Sequence, residues 1–301
     1  MKNEEAVSTV IAMMLILAII ATAIAIYSAT YLPGLKQQSE IEHSREVANA
    51  FVRFGSDIDY VISQKKTARF SEPFSLGGGD VLLSPVRSSG LVTIEERPLV
   101  NVTVTNKTDA RMTRNASLVN VSYVPSFTTW EPQGYRWERG VVLVTKDNVT
   151  VPQSSEYNTI SEALAGSDEF LSSLVDMSWS GDEIEITVVN LTRKEDEFFI
   201  TGSGIATLEV NATGFKPERL ENVNKIIFEN CTVGDGDKVS EMMGEILEGK
   251  CGEVAGEVKA VVGEVDGATY AHNVGESSHT LEFDPPVTVT LRTVNVEVSV
   301  C

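Results

Sequence analysis

The sequence is short of cysteine, histidine and positive charge, and each shortage excludes a class of function. Only three cysteines occur, Cys231, Cys251 and Cys301. No pair forms a C-x-x-C, so neither a zinc knuckle nor a thioredoxin-like redox site is written here. In an oxidising compartment one disulfide can form, with one thiol left over. The sequence leaves the pairing open; Cys231–Cys251 closes the shortest loop. The histidines, His43, His272 and His279, have no metal-ligand spacing. There is no H-E-x-x-H, no P-loop and no G-x-S-x-G. Gly234-Asp235-Gly236-Asp237 lacks the remaining ligands of a calcium loop and reads as a turn capping a helix. The chain is therefore read as a non-enzyme, with no catalytic residue, no metal and no cofactor.

Positive charge is scarce. Lys and Arg number 24 against 43 Asp and Glu, a net charge of −19. Such a chain is repelled by nucleic acid and by anionic lipid headgroups, which excludes both as partners. Its charge keeps an exposed surface solvated. Hydrophobic residues make up 42% and charged residues 22%, which suits a folded chain and excludes wholesale disorder.

Charge is wholly missing from one place. No charged residue lies between Glu5 and Lys36, and Ala6 to Leu32 is almost entirely apolar. About 20 residues suffice to cross the hydrocarbon core of a bilayer. Neither Gly nor Pro interrupts the run, so a helix there satisfies its own backbone in lipid. Tyr27 and Tyr31 stand near its end, where aromatic rings prefer the interface. Pro33-Gly34 then predicts a bend. A cleaved secretory signal is the alternative, with Ala21-Thr22-Ala23 as the cleavage site. Its apolar core would be too long, and Lys2 is offset by Glu4 and Glu5. Ala18, Ala21, Ala25 and Ala29, with Thr22 and Ser28 beside them, give one face on which helices can approach closely.

A second periodicity follows. Val47, Phe51, Phe54, Ile58 and Val61 make an apolar stripe on an amphipathic helix. Lys36, Glu40, Glu42, Arg45, Glu46 and Asp57 are read as its polar face. The stripe packs on its own domain or on neighbouring subunits.

From about Thr67 the period changes to two. Val81–Leu83, Leu91–Ile94 and Leu99–Val104 read as strands, separated by Gly-rich and Ser-Gly turns. Further strands are expected at 118–124, 140–146, 183–190, 196–201, 205–211, 224–231 and 286–300. Gly202-Ser203-Gly204 reads as a turn. Helices are expected at about 158–177 and 236–264, the second weakened by its glycines. Trp130, Tyr135 and Trp137 read as core rather than as a contact patch. The prediction is an α+β chain: a long N-terminal transmembrane and stalk helix, then a mainly antiparallel β-rich extracellular domain with one or two inserted helices. Its divisions are a leader at 1–5, a transmembrane helix at 6–32, a stalk at 33–66 and the outer domain at 67–301.

Eight N-x-S/T sequons occur, at Asn101, Asn106, Asn115, Asn120, Asn148, Asn190, Asn211 and Asn230. Chance gives roughly two or three in a chain of this kind. None precedes residue 100 and five fall within 101–150, which predicts a glycan-bearing face on consecutive strands. Asn230 is the weakest, because Cys231 fills its middle position.

The stretch Glu4-Glu5-Ala6-Val7-Ser8-Thr9-Val10-Ile11-Ala12 resembles the processing junction of archaeal type IV pilin precursors. Those carry a short charged leader, a motif close to A-V-S-P-V-I-G and then the apolar helix. Thr9 and Ala12 stand where that pattern has Pro and Gly. The segments SREVANAFVRFGSDIDYVIS, FSLGGGDVLLSPVRSSGLVTI and GYRWERGVVLV resemble an uncharacterised group of archaeal pilin-like surface proteins, over about the first 145 residues. The resemblance implies that a prepilin peptidase cuts between Glu5 and Ala6 on the cytoplasmic side. It implies a single-pass protein, N-terminus inside and C-terminal domain outside, that joins itself or other pilin-like subunits through the N-terminal helix. The pilus assembly machinery and the membrane are then its partners, and adhesion or surface interaction its use. A membrane-anchored receptor that never polymerises is the alternative, and an anchored extracellular hydrolase a remote one.

Overall fold

The computed structural model describes residues 2–78, 88–126, 132–153, 157, 159–180, 183–214, 217–231, 238–262, 269–275 and 278–301. Residues 2–8, 261, 262, 269 and 270 are described by backbone alone. The expected strand at Val81–Leu83, the Gly234–Asp237 turn and Trp130 lie outside the described residues.

The chain begins as one uninterrupted helical rod. Helix α1 (Lys2–Ile26) passes through a single π turn (Tyr27–Tyr31) into α2 (Leu32–Gln64). The helix does not break at Pro33-Gly34. Proline lacks the N–H for an i−4 bond, and its ring crowds that carbonyl. The helix meets the problem one step earlier: the Leu32 N–H donates to the Tyr27 carbonyl, five residues back. This slip of register places Pro33 in the first turn of α2, where a missing N–H costs little. The rod ends where Lys65 turns left-handed, at φ 50°, and its N–H closes on the Val61 carbonyl.

The stripe foreseen on α2 is buried in the chain's own domain. Val47, Ala50, Phe51, Phe54, Ile58 and Val61 have no exposed surface. Burying each large side chain contributes about 1.5–3 kcal/mol. Phe54 meets Trp137 edge to face at 5.5 Å, and Trp137 meets Phe170 the same way at 5.5 Å. A Cβ on Gly55 would stand 3.0 Å from the Trp137 indole nitrogen, so glycine is what lets the helix come this close.

Among the described residues thirteen strands join into one continuous, mainly antiparallel sheet. They are β1 (Ala68–Ser75), β2 (Ser89–Asn106), β3 (Arg111–Ser126), β4 (Gln133–Glu138), β5 (Val141–Lys146), β6 (Val149–Pro152), β7 (Val175–Ser180), β8 (Glu183–Arg193), β9 (Phe199–Gly202), β10 (Ile205–Thr213), β11 (Glu218–Asn230), β12 (Thr269–Val274) and β13 (Ser278–Val300). The main path runs β1-β10-β13-β11-β2-β3-β4-β5-β6. The last strand, which alternates most cleanly in sequence, is the spine. One edge of β13 takes β11 and then β10; the other takes β12 and then β8. The β8–β13 pairing is parallel, from Glu183↔Thr288 to Arg193↔Val298. Parallel neighbours need a long connection, and the chain between them supplies one.

The two strands expected at Leu91–Ile94 and Leu99–Val104 are one strand, β2. Pro98 cannot donate to the ladder, and the register slips between Pro98 and Val100 instead of ending there. Helix α3 (Ile160–Leu174) starts on a cap: Thr159 Oγ1 accepts the Glu162 N–H at 3.1 Å. Helix α4 (Lys238–Val262) forms despite its glycines. Met243, Leu247, Cys251, Val254 and Val258 bury one face. Gly249, Gly252 and Gly256 face open space, where each costs about 1 kcal/mol without displacing a contact.

Candidate functional site

Two features of the rod stand out, one at each end. The N-terminal end is bare. Val10, Ile11, Met13, Met14, Leu15, Ile16, Leu17, Ile19, Ile20, Ile24 and Ile26 are each more than half exposed. Covering these side chains is worth roughly 15–30 kcal/mol in total, so the segment demands an apolar surrounding. Among the described residues this is one helix long and apolar enough to cross a membrane, with a mean hydropathy of 2.8 in its most apolar window. Its one interior hydroxyl is satisfied within the helix: Thr22 Oγ1 donates to the Ala18 carbonyl at 2.7 Å. Tyr27 and Tyr31, one turn apart, stack at 6.3 Å.

The rod enters the folded head through a polar collar. Glu40, His43 and Ser44 are buried. Glu40 thus departs from the polar face assigned to it by periodicity, because the head closes around α2 on more than one side. His43 Nε2 donates to the Ser75 carbonyl at 2.6 Å, and Ser44 Oγ and the Tyr135 hydroxyl share a bond of 2.8 Å. The Tyr123 hydroxyl donates to the Leu76 carbonyl at 2.9 Å. Burial holds both tyrosine hydroxyls above their ordinary range. Tyr135 and Trp137 are core residues, as read from the sequence.

At 1.5 Å per residue, Lys65 lies about 38 Å beyond Glu40 along the rod. There a cleft of about 600 Å³ opens between the end of α2, helix α3, the start of β7 and helix α4. Asp59, Ile62, Ser63 and Lys65 come from α2; Gly166, Glu169, Phe170, Ser172 and Ser173 from α3; Asp176 and Lys250 from β7 and α4; Gly140 and Tyr157 complete it. Both cations are engaged. Lys65 pairs with Asp176 at 3.1 Å. Lys250 Nζ donates to the Ser172 and Val175 carbonyls at 2.7 and 2.8 Å. It neutralises the negative end of α3, while burial lowers the pKa of its ammonium. Asp59 stands at the exposed mouth, yet the protein crowded around it, and then Glu169, push its carboxyl up to about 6.

No motif announces this cleft. Its residues come from separate elements, and Asp59 reads in sequence as one more charge beside the stripe. Only the meeting of α2, α3 and α4 makes it a site.

The sequons do not share one face. Asn101 and Asn115 are direct cross-strand partners. Asn120 lies five residues further along β3, which alternation puts on the opposite side. Asn115 and Asn148 are exposed, the latter in a tight turn at φ 64°. Asn106 uses its side-chain oxygen to close the β2–β3 turn, accepting from the Thr108 and Ala110 N–H groups at 3.0 and 2.9 Å. Asn101, Asn120, Asn190 and Asn211 are half-buried. Asn115 and Asn190 line one polar pocket of about 600 Å³ with Arg114, Glu218 and Asn295. Asn230 commits its amide nitrogen to the Ser240 carbonyl at 3.1 Å.

All three cysteines are free. Asn230, next to Cys231, touches Ser240, and Cys251 is eleven residues further down α4, about 16 Å along its axis. A bridge needs Cα atoms within about 7 Å, so the Cys231–Cys251 pairing does not fit this fold. His272 and His279 lie 5.6 Å apart ring to ring, on β12 and β13. Burial, and then His272, lower the pKa of His279. Among the described residues no three His, Cys, Asp or Glu side chains are grouped to hold a metal ion. Compared with protein-family models, curated proteins and solved structures, the chain matches none.

Proposed function

We propose that this chain is a pilin-like surface subunit, held in the membrane by its N-terminal helix until a filament takes that helix up. One observation carries the reading. A single unbroken rod is bare and apolar from Val10 to Ile26 and buries its apolar stripe from Val47 to Ile62 in its own domain. A simple tether needs no such rigid continuation. A rod of this form transmits the position of the head to whatever packs around the bare half. The alanine face gives neighbouring copies a close approach. The junction at Glu5–Ala6 is the proposed site of prepilin peptidase cleavage, which leaves the helix attached and the head outside the cell. The protein then acts as a minor or tip component serving surface interaction, with no chemistry of its own.

Shearing the cell surface and analysing the released filaments by mass spectrometry tests this. Peptides from the head in sheared filaments are expected. Recovery only as a membrane-bound monomer with Met1 to Glu5 still present would sink the proposal.

A second reading is favoured by the distal cleft: an anchored receptor that never polymerises. It keeps the proposed orientation and puts a binding pocket at the end of α2 away from the bare segment. Absence of the chain from sheared filaments, together with a cut leader, distinguishes it.

A further inference from the structure

The distal cleft is lined by three carboxylates, of Asp59, Glu169 and Asp176, and two ammonium groups, of Lys65 and Lys250, which leaves one negative charge over. Of the charged groups facing it, Lys65 is held by Asp176 and Lys250 by two carbonyl oxygens. Among the described residues Asp59 on α2 and Glu169 on α3 make neither a hydrogen bond nor an ion pair. The two are close enough that Glu169 helps raise the Asp59 pKa, so they share one opening. The wall beside them is aromatic. Phe170 is buried beneath the Gly140 turn, where any Cβ would stand 2.7 Å from its ring. Tyr157 crosses α3 at Gly166, where a Cβ would stand 2.5 Å from its hydroxyl. Two glycines are thus spent on holding two rings at the cleft. Aromatic faces beside free carboxylates suit a cation with an apolar body.

We propose that this cleft binds a small organic cation, an amine or guanidinium on an aliphatic chain, seated between the Asp59 and Glu169 carboxylates and against Phe170 and Tyr157. The volume of about 600 Å³ admits a polyamine or the end of a basic side chain. Binding strengthens as the pH rises through about 6, where Asp59 takes up its charge. The inference does not rest on filament assembly and holds for a subunit or a receptor alike.

The test is calorimetric titration of the full-length chain in a neutral detergent at 150 mM salt. Spermidine and a Gly-Gly-Arg peptide are the probes, and the tighter of the two names the source of the cation. One saturable site is expected at pH 7.5, at least tenfold weaker at pH 5. Asp59→Asn and Glu169→Gln are each expected to weaken it at least tenfold, with a melting midpoint no lower than the parent's as the check that the head is folded. Glu195→Gln/Asp196→Asn, in an exposed turn, is expected to leave it unchanged. Absence of saturable binding at pH 7.5 overturns the proposal. So does equal weakening by the control pair, which would mean diffuse attraction to an acidic surface.

Discussion

If α2 is part of the head rather than a spacer leaning on it, removing one ring from its stripe must destabilise the whole domain. Phe54→Ala is the sharpest perturbation. Phe54 is fully buried and meets Trp137 edge to face, and Trp137 in turn carries Phe170 of α3. The substitution empties a ring-sized volume at the junction of α2, β4 and α3. Truncations of this kind cost about 3–5 kcal/mol, the lost transfer energy plus the cavity. A domain of this size holds roughly 5–15 kcal/mol in all, and each kcal/mol moves its midpoint by about 2–4 °C. A fall of roughly 6–20 °C is therefore expected. The assay is thermal unfolding followed by tryptophan fluorescence and near-ultraviolet dichroism of the full chain in detergent, because Trp137 reports on the contact itself. Met13→Ala, on the bare segment, is the control and leaves the midpoint unchanged. A loss below about 1 kcal/mol for Phe54→Ala would refute the reasoning, since no docked helix loses a buried ring that cheaply.

Four further outcomes follow from the same structure. Gly252→Ala on the open side of α4 should raise stability by about 0.5–1 kcal/mol in chemical denaturation, because it removes backbone entropy without a clash. Asp59→Asn should stabilise the head at pH 7.5 and not at pH 3. The folded pKa of about 6 lies above the unfolded value, so the native state holds the proton more tightly and loses stability as pH rises between the two; the exposed setting keeps the gain below about 1 kcal/mol. Iodoacetamide should label Cys301 first, Cys231 more slowly and Cys251 only on unfolding, as peptide mass spectrometry would show; burial pushes the Cys251 thiol up to about 12. Glycopeptide mapping should find Asn115 and Asn148 occupied and Asn230 empty; a glycan on Asn230 would mean that its bond to Ser240 is absent in the native protein.

The rod was legible in the sequence because one half of it is continuously apolar and the other is periodic. An uninterrupted apolar run and a stripe at three- and four-residue steps report local environment directly. The alternation of 286–300 likewise marked the central strand. What sequence could not show was the partnering. Nothing local distinguishes a parallel from an antiparallel neighbour, so the β8–β13 pair was invisible. Pro98 looks like a break and is a bulge, because the long partner β3 holds β2 on both sides of it. Pro33 looks like a bend and is absorbed by one π turn. Glu40 looks solvated and is buried, because the closure of the head around α2 is a tertiary event. The distal cleft has the same origin. Its residues are unremarkable singly, and α2, α3 and α4 bring them together only once the sheet has set their positions.

The most direct test of the central account is the first residue of the mature protein, read by N-terminal sequencing of material from the cell envelope. The account predicts Ala6, with the bare helix intact behind it. A chain that begins just after Ala23 would contradict it, since a secreted protein without its apolar half has no rod to anchor or assemble.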